Sequence, residues 1–158
     1  MLKAGWRGVS LRNRGVEMFR EDIAVVCHGR AKLRNKADFI RKVRLIRKRA
    51  GREDLSIAIL LTDDEGIREL NRIFKKKNAP TDVLAFESTD DRDHMCLGDI
   101  AISVDTARAN AREYRATLRD EIFRYVAHGI LHLSGWDDDT PRKRDDMRDE
   151  EDRLIRNL

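Results

Sequence analysis

Tyr125–Asp139 reads Y-V-A-H-G-I-L-H-L-S-G-W-D-D-D, an apolar run carrying two histidines four residues apart and closing on three carboxylates. On a helix, His128 and His132 fall on one face, while Ile122, Phe123, Val126, Ala127 and Ile130 cover the core side. Gly135 stops the helix and turns the chain, and Asp137, Asp138 and Asp139 follow at once. Two imidazoles on one helical turn plus a carboxylate brought back by a turn form a three-ligand site for Zn²⁺, with a fourth position left to water. The competing reading is a helix end with half-buried histidines and a solvated acidic loop. The chain holds only four histidines, and two of them fall here.

Outward from this stretch the chain divides into short periodic segments. Thr117 and Asp120 form a capping pair that opens the central helix, which runs to about Leu133. Ser103 caps a helix over Val104–Tyr114. Thr140-Pro141 is an N-cap followed by proline at the first helical position, and that helix runs to about Ile155 with Met147 and Leu154 as core contacts. Upstream, Asp22–His28, Leu55–Leu61, Thr81–Phe86 and Gly98–Ser103 read as strands. Asp38–Arg49 is predicted helical, with Phe39, Ile40, Val43 and Ile46 inward and Arg41, Lys42, Arg44, Arg47 and Lys48 around them. Thr62-Asp-Asp-Glu65 matches a capping box opening a helix to about Phe74. Glu87–Cys96 reads as a loop. The expected fold is one α+β domain, a mixed four-stranded sheet with about five helices and the zinc site on the central helix-turn. Residues 1–20 are a basic and mobile extension, and 21–158 form the domain.

Charged residues make up 39% of the 158 residues, yet the apolar ones come in periodic blocks, which excludes a disordered chain. Residues 1–52 hold 16 Lys/Arg against four Asp/Glu, while the remainder is acidic. A basic half suits a polyanion such as nucleic acid, and the Asp38–Arg49 helix is its expected face. No apolar run has the length of a membrane span, and M-L-K-A-G-W-R-G-V-S carries no signal-peptide core. Cys27 and Cys96 stand in no C-x-x-C arrangement and fit a reduced interior. The expected location is cytoplasmic.

H-G-I-L-H-L-S-G-W-D with Asp138 after it, T-D-V-L-A-F, L-G-D-I-A-I-S and L-N-R-I-F together resemble the YbeY rRNA maturation factors, over roughly Asp22 to Leu158. The resemblance implies a small bacterial endoribonuclease with one zinc ion, acting on small-subunit rRNA in association with the ribosome. It implies His128, His132 and Asp138 as metal ligands and Lys75 as a catalytic contact to substrate. Three positions depart from the family pattern: Asp138 replaces a third histidine, Lys75 an arginine and Ala85 a serine. Aspartate is an ordinary zinc ligand, although Asp137 or Asp139 could coordinate if the turn differs. Lys75 keeps the positive charge and loses the bidentate fork.

The leading expectation is a hydrolase that cuts single-stranded RNA, with Zn²⁺ as Lewis acid and Lys75 and the basic half binding the backbone. The alternative is a non-catalytic ribosome- or RNA-binding factor with a structural zinc. A zinc peptidase is disfavoured, because Gly129 stands where the H-E-x-x-H helix has its glutamate. Asp82 and Asp99 are read as structural, His28, His94 and Cys96 as incidental, and Trp136 as packing over the turn in preference to stacking on a base. No residue stands out as general base.

Overall fold

The computed structural model describes residues 2–3, 22–88 and 95–158. In chain order these form β1 (Leu2–Lys3), β2 (Ile23–Cys27), α1 (Lys36–Arg49), β3 (Ser56–Thr62), α2 (Asp64–Lys75), β4 (Val83–Glu87), β5 (Cys96–Ser103), α3 (Val104–Glu113), α4 (Leu118–Leu133) and α5 (Pro141–Ile155). The sheet runs β1-β4-β5-β3-β2, with β2, β3 and β5 parallel and β4 antiparallel to β5. The four expected strands and five helices are therefore present, in one mixed sheet. At its edge Leu2 and Lys3 pair with Phe86 and Glu87, so the start of the basic extension joins the sheet. The rest of it, with the mobility expected there, and His94 lie outside the described residues.

Alternation along the strands divides the core. Ile57, Ile59, Leu61, Ile100 and Ile102 face one side, where α1, α4 and α5 pack. Ala58, Leu60 and Ala101 face the other, covered by Ile67 and Leu70 of α2. Because both faces are covered, β3 is a nearly unbroken apolar run rather than an alternating one.

Several local readings shift. Thr62 is not the cap of α2: it ends β3 fully buried, and Asp63 is the N-cap, accepting from Gly66 N. The ladder to Ser103 extends β3 one residue further and moves the cap on by one. Helix α1 begins at Lys36 behind an Asn35 cap, and β5 takes in Cys96 from the expected loop. Of the helix's cations, Lys42 and Arg47 are buried. Lys42 bonds Asp38 at 2.8 Å and lies over the Phe123 ring. Arg47 donates to the carbonyls of Asp22 and Leu55 and to the Asp22 carboxylate, which also holds Arg44. Two of the five cations read as a nucleic-acid face are thus internal, while Arg41, Arg44 and Lys48 stay exposed.

Asp22→Ala should lower stability by about 2 kcal/mol, because it strips the only carboxylate bonded to a buried guanidinium among the described residues. The hydrogen bond from Arg44, opposed by partial burial and aided by Arg47, holds the Asp22 carboxyl below the usual carboxylate range. A depressed pKa stabilises above the unfolded value near pH 4 and is lost below it. Urea melts of wild type and variant should therefore differ at pH 7 and converge toward pH 3. Coincident midpoints at pH 7 would remove the role assigned to Asp22.

Candidate metal centre

Thr117 accepts from Asp120 N at 3.1 Å and fixes the start of α4. From there the helix buries Phe123, Val126, Ala127, Ile130 and Leu131, leaving His128 and His132 one turn apart at the edge of the core. Gly129, between them, lies against the sheet: a Cβ there would sit 2.6 Å from Ile100 Cδ1. That contact explains why no glutamate occupies the position. The H-E-x-x-H geometry needs a side chain where this helix touches a strand.

The helix closes in a Schellman turn. Gly135, at φ +93°, donates to His132 O, and Trp136 N donates to Leu131 O. The turn delivers two things to the site. The Trp136 carbonyl accepts from His132 Nδ1 at 3.1 Å, and Asp138 swings back toward the imidazoles. Its Oδ2 lies 4.0 Å from His128 Nε2 and 3.9 Å from His132 Nε2. Asp137 and Asp139 turn away, both bonded to Lys143 at 2.9 and 2.8 Å. Lys143 stands there because Thr140 caps α5 through Lys143 N.

Both imidazoles are held from behind. His128 Nδ1 donates to Glu151 Oε1 at 2.7 Å, and Glu151 is itself buried and bound by Arg124. With both Nδ1 atoms donating, each neutral ring presents an Nε2 lone pair to the other across 2.9 Å. Two facing acceptors repel unless a proton on one ring or a metal ion beside both relieves the contact. His128, His132 and Asp138 are the group of described residues whose donor atoms can hold a metal ion, all within 4.8 Å of one another. Ligand atoms of tetrahedral zinc stand about 3.3 Å apart, so each observed separation needs to change by about half an ångström. Burial depresses the His128 pKa, but Glu151 outweighs it with help from Asp82 and Asp138, so the net shift is upward. His132 is held below its usual value by burial and by His128.

The group opens into a cleft of about 650 Å³ lined also by Lys75, Asp82, Ala85 and Trp136. Buried Asn71 ties down the loop after α2 by donating to Ala79 O and accepting from Lys77 N through its carbonyl, which sets Lys75 at the cleft's rim. Lys75 is close enough for its charge to depress His132. Asp82 makes the local turn expected of it, accepting from Thr81 Oγ1 and Val83 N, and it also faces the cleft. Trp136 stands 39% exposed and lines the same cleft. His28 pairs with Thr62 instead, outside this group.

A family model described as Endoribonuclease YbeY matches residues 27–158. The chain belongs to the endoribonuclease YbeY family. Curated relatives bearing that name include one from Anaeromyxobacter dehalogenans, 41% identical over 127 residues, covering 75% of this chain and 66% of the relative. The Myxococcus xanthus relative is 43% identical over 105 residues, 64% of this chain and 36% of that protein. The Aquifex aeolicus relative is 43% identical over 88 residues, 55% and 59% of the two chains. The matched stretch thus spans from about a third to just under two thirds of the length of these relatives. The solution structure of TM1509 from Thermotoga maritima is similar at a TM-score of 0.54 and 26% identity, over 84% of this chain and 88% of that one.

In this YbeY-family chain, the residue that sequence reasoning missed is Glu151. Its signal was present: Met147, Glu151 and Leu154 share one face of α5, so the buried stripe of an otherwise polar helix contains one acid. A carboxylate on a core face needs partners, and His128 and Arg124 supply them.

Proposed function

We propose that the chain is a zinc-dependent endoribonuclease that cuts single-stranded RNA. Its proposed setting is the cytoplasm, where it matures small-subunit rRNA in association with the ribosome. Residues 21–158 form the proposed catalytic domain and residues 1–20 a basic extension. The observation that carries this reading is the convergence of His128, His132 and Asp138 on the floor of an open cleft with Lys75 at its rim. Zinc at such a site supplies a Lewis acid for a phosphate oxygen and lowers the pKa of bound water.

The chain's own residues do the rest. Glu151 and the Trp136 carbonyl hold the two Nδ1 protons and so keep both Nε2 lone pairs directed inward. Asp138 offsets part of the ion's charge. Lys75 meets a phosphate as a single point charge, neutralising it without gripping two oxygens. Among the described residues, no helix is long and apolar enough to cross a membrane.

Lys75→Ala should weaken cleavage of a single-stranded RNA by roughly 10–100-fold, with KM raised and the salt slope reduced by about one contact. Lys75→Arg should restore or improve it. The assay is RNA cleavage by metal-loaded protein across salt concentrations, with a chelator arm that should abolish cutting. Cleavage that persists undiminished in chelator would overturn the metal-dependent reading.

A further inference from the structure

His128, Asp138 and Asp82 edge two hollows at once. Behind them, between α3, α4 and α5, lies a second cavity of about 450 Å³ with Tyr114 and Arg148 among its lining residues. Among the described residues the large apolar side chains left exposed are Met95, Tyr114 and Trp136. Two of these three line hollows that His128 and Asp138 also line. Trp136 stands in the first cleft, and Tyr114, 68% exposed, stands in the second.

The second cavity also contains carboxylates, which taken alone would repel a polyanion. Part of that charge is offset: Arg124 binds Glu151 and Asp152 at 3.3 and 2.7 Å, Arg144 and Arg148 add two more cations to the lining, and Asp138 belongs to the metal-binding group. What the cavity offers is an uncharged aromatic face, polar walls and the Arg148 guanidinium. A base stacked on an aromatic ring is the recurrent way to hold single-stranded nucleic acid without reading its sequence.

We propose that the second cavity is a nucleobase subsite. Single-stranded RNA crosses the His128–His132–Asp138 group with the base on one side of the cut bond stacked on Tyr114, and the base on the other side stacked on Trp136. This rests on the endoribonuclease reading above and adds to it a two-sided substrate path.

The test is stopped-flow anisotropy of a labelled single-stranded octaribonucleotide on metal-loaded protein, read before turnover, with cleavage followed in parallel. Tyr114→Ala should weaken binding by about 5- to 100-fold, and Tyr114→Phe, which keeps the ring, should bind like wild type. Octamers carrying one abasic residue locate the contacts. The position at which the Tyr114→Ala loss vanishes should lie across the cut from the position at which the Trp136→Ala loss vanishes. Wild-type binding by Tyr114→Ala, with cleavage intact, overturns the subsite and leaves the endoribonuclease reading standing. Failure of the wild-type protein to bind or cut RNA overturns both.

Discussion

Asp138→Ala is expected to lose tightly held metal and RNA cleavage together, while Asp137→Ala and Asp139→Ala keep both. Removing a partner that merely orients a ligand lowers metal affinity by roughly 10–100-fold, and removing one of three ligands should exceed that. The neighbours are spared because Lys143 already binds both of them, so neither carboxylate is directed at the imidazoles. Asp138→His should still bind metal, with activity altered by the change in charge at the ion. Elemental analysis after dialysis, read beside an RNA cleavage assay, decides the matter. Full metal in Asp138→Ala with loss in Asp137→Ala or Asp139→Ala would move the third ligand to that neighbour.

Gly129→Glu is expected to prevent stable folding. The first added carbon would meet Ile100 Cδ1 at 2.6 Å and its Cγ1 and Cγ2 at 2.9 and 3.0 Å, and Ile100 is fully buried in the sheet, so the whole side chain must shift within a packed core. Overpacking of this kind costs about 1–3 kcal/mol, and a carboxylate forced into the same interface adds several more. The sum approaches the whole stability of a domain this size, about 5–15 kcal/mol. Gly129→Ala separates the two contributions: its clash remains, while the better helix propensity of alanine returns about 1 kcal/mol. It should be folded but less stable than wild type by about 1 kcal/mol, in the range set by overpacking less that propensity gain. Urea melts read both variants. A Gly129→Glu protein with the wild-type midpoint would show that α4 can lift from the sheet, and the steric reason for the missing glutamate would fail with it.

These two results separate what the chain states locally from what packing adds. The sequence alone determined the spacing of His128 and His132, the Gly135 turn, the capping threonines of α4 and α5, four strands and five helices. All of these follow from interactions within about one helical turn or one strand repeat, where backbone geometry converts spacing directly into position. It also carried the YbeY resemblance, because those short segments keep their order.

Tertiary structure decided the rest. Which of three consecutive aspartates faces the imidazoles depends on Lys143 from the next helix. The orientation of His128 depends on Glu151, 23 residues away. The burial of Lys42 and Arg47 within a helix read as a charged surface depends on Phe123 and Asp22. The cap of α2 moved by one residue because a ladder to Ser103 claimed Thr62. In each case a side chain capable of two roles received one from a group distant in sequence. Local periodicity places such a residue on a face, and only the packing of helices against the sheet determines what that face meets.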